Sequence, residues 1–136
     1  MYSVVVADFT REEILVKVAA GESLEGANLT DVNLRGANLS GADLREAILH
    51  DAILRKADLR GANLANADLA LAKLDGANLT GANLTSANLA EAVLGNVNLT
   101  DANLTGATIA PWHHFPETIY NSTTLPDGTV KTDSPE

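Results

Sequence analysis

The chain has no cysteine in its 136 residues. That excludes a disulfide framework, a thiol nucleophile and any Cys-ligated zinc or iron–sulfur centre. Aromatic residues make up only 4%, so a core must be assembled almost wholly from Leu, Ala, Val and Ile. Positive charge is scarce, with 9 Lys and Arg against 18 Asp and Glu and a net charge of −9. Nucleic-acid binding needs clustered Lys and Arg to displace counterions, so direct contact with DNA or RNA is disfavoured. No uninterrupted apolar run exceeds four residues, the length of Val4–Ala7. A bilayer-crossing helix needs roughly 20, and a signal-peptide core is also longer. The expectation is a soluble, cytoplasmic chain with no membrane contact. The apolar share is nevertheless 46%, too high for a disordered chain.

What is abundant is a repeat. Leu recurs at every fifth position: Leu24, Leu29, Leu34, Leu39, Leu44, Leu49, Leu54, Leu59, Leu64, Leu69, Leu74, Leu79, Leu84, Leu89, Leu94, Leu99 and Leu104, with Ile109 as the eighteenth member. From residue 27 to residue 107 the residue two before each is Ala, except at Val32 and Val97. The residue between is usually Asn or Asp, as in Ala62-Asn63-Leu64.

A five-residue period suits neither regular element. On an α-helix it advances about 500°, leaving a drift of about 140° per repeat and no apolar stripe. On a straight strand an odd spacing sends successive Leu to opposite faces. Every Leu can share one interior only if the chain bends once per repeat and winds into a stacked coil, a β-solenoid. Leu and the Ala two before it share a facing, so large and small side chains alternate in a narrow lumen. Gly at the second position after Leu, as at Gly61 and Gly81, suits a tight corner. Asn and Asp are expected to hydrogen-bond the corner backbone, and stacked amides to form ladders.

The run of Ala-(Asp/Asn)-Leu-x-x units over residues 22–110 resembles the pentapeptide repeat family. The resemblance covers about two-thirds of the chain and its motif is specific. It implies an all-β fold: a right-handed quadrilateral β-helix with the Leu and the Ala inside and four pentapeptides per coil. Eighteen units then make about four and a half coils, a rod roughly 20–22 Å long. The closing stretch Tyr120–Gly128 resembles tails of cyanobacterial members.

The ends break the pattern. In residues 1–21, positions 2–7 favour a strand. Thr10-Arg11-Glu12-Glu13 has the form of a capping box opening a helix over 11–20 that covers the first coil, with Gly21 as its stop. Residues 111–136 leave the repeat and hold all four Pro. They are expected to form an irregular plug through Trp112, Phe115 and Tyr120, followed by a flexible tail.

Chemistry-bearing clusters are sparse. His113-His114 and the isolated His50 offer no ligand set, so no metal is expected. Asp43, Asp58 and Asp68 sit in the repeat's Asn/Asp slot, on a convex wall without the cleft that paired catalytic carboxylates need. No phosphate-binding, nucleophile-elbow or dinucleotide motif occurs. The chain therefore reads as a non-enzyme without cofactors.

Counting in twenties maps the wall. The column Asn33, Ile53, Lys73, Val93 loses its Asn/Asp three times in succession, and Ile48 and Leu71 adjoin it. Ile48, Ile53, Leu71, Lys73 and Val93 together form an expected partner-contact patch. Basic residues of the repeat lie between Arg35 and Lys73, while Leu74–Ala110 carries only Asp75, Glu91 and Asp101 as charges. The principal reading is a scaffold, monomer or weak homodimer, that binds an unidentified protein through this wall. The alternative, implied by the family resemblance, is a DNA mimic that inhibits or protects a type II topoisomerase such as gyrase. An ice-binding surface is a remote third reading, since Arg60 interrupts the column of Thr80 and Thr100.

Overall fold

The structure is a computed structural model and describes residues 6–109 and 116–132. Successive layers are offset by twenty residues through parallel bridges such as Asn28↔Ile48, Asn33↔Ile53, Asn38↔Asp58 and Asp43↔Asn63. Twenty residues are four pentapeptides, so one turn of the coil has four wall segments. We denote them A (through Asn28), B (through Asn33), C (through Asn38) and D (through Asp43).

One pentapeptide shows why the fold suits this sequence. Leu64 N–H donates to the Asn83 carbonyl (2.7 Å), Asn63 N–H to Ala42 (2.9 Å) and Asn66 N–H to Thr85 (2.9 Å), joining three layers. Ala67 N–H donates to the Leu64 carbonyl (3.0 Å) and closes the corner. The fifth donor, Ala65 N–H, is met by Asn63 Oδ1 at 3.1 Å. Every N–H of the unit has a partner, as buried or half-buried backbone requires. The Asn/Asp slot is thus the acceptor that completes the set. Using Oδ1 this way displaces the expected amide ladders: among the described residues only Asn88 Nδ2 reaches the stacked Asp68 carboxylate, at 3.5 Å.

The corner holds the second residue after each Leu at positive φ, for example Gly61 at +66° and Leu71 at +61°. Positive φ at the third residue of a turn closed from fourth N–H to first C=O is the type II arrangement. An L side chain there costs roughly 1–2 kcal/mol. Gly61→Ala is therefore expected to lower stability by about 1 kcal/mol, although an added Cβ meets nothing within 4 Å. Leu71→Gly is expected to raise it by about 0.5 kcal/mol, the relieved strain exceeding the added unfolded-state entropy. Urea unfolding midpoints of the two variants check the opposite signs.

The lumen is dry. Leu24 through Leu104 are buried throughout, as are nearly all Ala of the repeat. Ile109 and Ala92 are only partly buried. Helix α1 (Arg11–Ala19) starts at Thr10 with the capping box completed by Glu13. It ends where Gly21 N–H meets the Val18 carbonyl and Glu22 N–H meets Lys17, with Gly21 at φ +72°. Ile14 is fully buried in the same cluster as the repeat Leu, with Phe9, Leu15 and Val18 packed against it.

Of the N-terminal strand expected over 2–7, residues 2–5 lie outside the described residues, and Val6 and Ala7 form no strand. Pairing is instead made by Asp8, whose N–H donates to the Asn28 carbonyl while its carboxylate accepts from Asn28 N–H, both at 2.7 Å.

Over residues 116–132 the C-terminal segment is not an irregular plug. Asn98↔Ile119 and Asn103↔Thr124 continue the parallel pairing with an offset of one extra residue. Thr118 and Thr123 therefore occupy the Ala slot, and Tyr120 the Leu slot. Both Thr are fully buried. Their hydroxyls donate to the Leu94 and Leu99 carbonyls at 2.7 and 2.6 Å, which removes the cost of burying them. Tyr120 is 2% exposed and Lys131 Nζ stands 5.5 Å from its ring centroid. Strand β1 (Thr123–Thr124) then pairs antiparallel with β2 (Val130–Lys131). Trp112, His113, His114 and Phe115 lie outside the described residues.

An open cleft of about 460 Å³ lies between α1 and the first coil, and none of Asp43, Asp58 and Asp68 lines it.

Candidate interaction surface

Wall B brings the predicted patch together. Asn33, Ile53, Lys73 and Val93 bridge in sequence along one column, and Ile48 lies in the neighbouring column between Asn28 and Asp68. Val93 is 46% and Ile48 40% exposed, while Ile53, Leu71 and Lys73 are half-buried. Leu71 stands at the corner between walls A and B. The four described members of that corner, Asp31, Asp51, Leu71 and Glu91, all hold positive φ without a glycine. Positive φ costs roughly 1–2 kcal/mol at a non-glycine residue, and Leu71 shares it with non-glycine residues of the other corners, such as Glu46, Lys56 and Asn66.

A second feature of this wall was not read from the sequence. Elsewhere the Asn or Asp before each Leu accepts the N–H two residues on, as Asn33 does for Arg35 at 3.1 Å and Asn78 for Thr80 at 3.0 Å. Ile48, Ile53, Lys73 and Val93 have no acceptor to offer. The N–H groups of His50, Arg55, Asp75 and Gly95 accordingly make no hydrogen bond among the described residues. Arg55, Asp75 and Gly95 are one layer apart, so a row of unmet donors at roughly 4.8 Å spacing runs beside the aliphatic column. The signal was available: each lost Asn or Asp implies one lost acceptor.

Ion pairs brace the surroundings. Arg55 Nε donates to Asp75 at 3.0 Å, and Lys73 Nζ lies 3.8 Å from Asp51. His50 Nε2 is 3.4 Å from the Asp51 carboxylate. Asp43 and Asp58 grip Arg45 and Arg60 in two-point pairs, the closest contacts being 2.8 and 2.6 Å. The hydrogen bonds from Arg45, then from Ser23, hold the Asp43 carboxyl well below the usual carboxylate range. Arg60 lowers Asp58 in the same way. Because both folded values are depressed, this stabilisation is complete above the unfolded range near pH 4 and is lost as pH falls through the folded values. A urea midpoint that is flat from about pH 8 to 5 and falls below about pH 4 is expected. Replacing both Arg45 and Arg60 with Gln is expected to shrink the acid decline.

Asp68, the third carboxylate of this slot, accepts from Ala70 N–H at 3.0 Å and faces no second catalytic partner. No group of three or more metal-ligating side chains is assembled among the described residues. Among the same residues no helix is long and apolar enough to cross a membrane.

The model for pentapeptide repeats matches the chain in eight copies over residues 23–61, 52–89 and 77–109. That family builds right-handed quadrilateral β-helices. Among solved structures, a pentapeptide repeat protein of Nostoc PCC 7120 is 39% identical with a TM-score of 0.59, over 69% of this chain and 80% of that one. One from the cyanobacterium Cyanothece 51142 is 37% identical with a TM-score of 0.40, over 71% and 63%. HetL of Nostoc, a protein involved in heterocyst differentiation regulation, is 32% identical with a TM-score of 0.33, over 81% and 60%. This chain thus spans less than two-thirds of the latter two. No curated protein matches the sequence.

Proposed function

The chain belongs to the pentapeptide repeat family, and from that premise we propose that it is a non-catalytic scaffold that binds another protein through wall B. The observation carrying this reading is the coincidence of two features on wall B and its border with wall A. Val93 on wall B and Ile48 on wall A are exposed aliphatic side chains, and the nearby backbone donors of His50, Arg55, Asp75 and Gly95 have no acceptor among the described residues. Apolar area supplies the driving force for association, and the unmet donors supply register. A wall that served only as a wall would keep the Asn/Asp acceptor there, as walls C and D do at Asn78 and Asn83.

In this reading α1 and the β1–β2 hairpin close the two ends of a rod that works as a rigid, regular surface. DNA mimicry is less well supported. It calls for a continuous acidic track, whereas Arg45, Arg55 and Arg60 neutralise Asp43, Asp75 and Asp58 along the rod.

The test is affinity capture from the native lysate with the wild type and an Ile48→Ser/Val93→Ser variant of unchanged circular dichroism. A protein retained by the first and lost by the second supports the wall. Identical retention by both overturns it. Inhibition of gyrase supercoiling at about micromolar protein would favour mimicry instead.

A further inference from the structure

A solenoid presents raw backbone at its first coil, and here the four walls are finished differently. On wall A both polar groups of Asn28 are taken by Asp8. On wall B the Arg11 guanidinium reaches across from α1, and its Nη1 donates to the Asn33 and Arg35 carbonyls at 3.2 and 3.0 Å. Wall D begins at Ser23, where the chain arrives from α1.

Wall C is left open. In the next layer Asp58 N–H donates to Ala37, and the Asp58 and Arg60 carbonyls accept from Leu39 and Gly41. The corresponding outward groups of the first layer are Asn38 N–H, Asn38 C=O and Ser40 C=O. None of them has a hydrogen-bond partner among the described residues. They form a donor and two acceptors in the spacing of a strand edge. Unlike an edge facing bulk water, this one borders a cleft. Leu15, Val18 and Ala19 of α1 line one side, Gly36, Ala37, Asn38 and Ser40 the other, in a volume of about 460 Å³.

We infer that this cleft binds an extended, apolar segment of a partner protein that carries an acidic residue, by adding it as a strand to the open edge of wall C. Three observations specify the occupant. The unmet groups demand backbone in extended form, because only such a segment offers an acceptor and two donors at strand spacing. The opposite end of the same solenoid accepts this kind of occupant from its own chain, where β2 pairs along the outer edge of β1. The charge around the cleft points to an acid. Arg11 lines it and Arg35 adjoins it, and neither has a carboxylate partner among the described residues, in a chain whose net charge is −9. Leu15 and Val18 then cover the apolar side chains on the face turned toward the helix. This is a second surface, at the end of the rod and separate from wall B.

The probe is the capped peptide acetyl-Glu-Val-Ser-Val-Ser-Val-amide, with an isomer N-methylated at alternate amides as its control. The reporter is amide hydrogen exchange read by NMR on the full chain. In the free protein Asn38 N–H exchanges near the rate of an open amide, while Leu39 N–H, bonded to Asp58, is protected. The peptide is expected to bind with a Kd below about 1 mM and to slow Asn38 exchange by at least about tenfold. The N-methylated isomer and the Leu15→Lys variant should each lose at least about tenfold in affinity. If Leu15→Lys unseats α1, seen as lost helical dichroism, the isomer alone gives the discrimination. Ile48→Ser/Val93→Ser should leave peptide binding unchanged, which separates this site from the wall. No binding at about 1 mM, unchanged Asn38 exchange in the bound state, or equal affinity for the N-methylated isomer would each overturn the proposal.

Discussion

Leu64→Ala is expected to lower the unfolding free energy by about 3–5 kcal/mol, at the upper end of what a buried leucine costs. The reason is that the site cannot collapse. Leu64 is fully buried. The backbone around it is pinned to the layers on both sides, through Leu44 N–H to Asn63 and Leu64 N–H to Asn83, at 2.8 and 2.7 Å. Layer spacing is set by those hydrogen bonds and not by side-chain volume. The methyl groups removed therefore leave a void that neighbouring Leu44 and Leu84 cannot enter without breaking a ladder. Domains of this size have about 5–15 kcal/mol of stability in total, so the variant should approach the threshold of unfolding at room temperature. Equilibrium urea unfolding, followed by circular dichroism, measures it. A loss below about 1 kcal/mol would mean that the lumen is not packed as described.

Ala62→Leu tests the same lumen from the other side and is expected to cost about 3 kcal/mol. Ala62 is fully buried and stacks between Ala42 and Ala82, which are equally enclosed. A larger side chain can enter only by parting layers whose bonds fix them at roughly 4.8 Å. Ala62→Val should cost less, about 1 kcal/mol. The chain itself shows where the two extra carbons are tolerated. Val32 lies in the first coil and is only partly buried, and Val97 lies in the layer next to Thr118. Both are near an end, where one neighbouring layer is absent or irregular. If Ala62→Leu were neutral, the small layer would not be a constraint and the alternation of large and small side chains would lose its physical basis.

Much of this could be read directly from residue spacing. A five-residue period with Leu and Ala two apart allows few ways to keep both dry, and the buried columns match that deduction. Thr10 with Glu13 announced α1, and Gly21 its end. The patch column was also countable, because a twenty-residue turn brings Ile53, Lys73 and Val93 into line. The Asn/Asp slot hydrogen-bonds the corner backbone as its residue types suggest, each Oδ1 meeting the N–H two residues on, while the stacked ladders do not form beyond Asn88 and Asp68. The unmet donors beside Ile53 and Val93 follow from that alone.

The C-terminal coil units could not be read that way. Thr118-Ile119-Tyr120 has neither the Ala nor the Leu that marks a repeat, and its one-residue slip breaks the phase. Only tertiary context admits it, since a hydroxyl can replace Ala when a carbonyl such as that of Leu94 stands within 2.7 Å. The finishing of the first coil is likewise tertiary. Nothing in the order of residues says that Asp8 and Arg11 will occupy edges of walls A and B while wall C stays open.

The primary structure by itself determined the winding, the apolar interior and the core positions from Leu24 to Leu104, because periodicity constrains what a chain can bury. The folded arrangement decided which backbone groups are left without partners at the rim of wall C. The wall B donors follow from a local acceptor lost two residues away, as the Asn63–Ala65 bond shows, whereas the open rim of wall C depends on which distant segments cover the first coil, which no local pattern encodes.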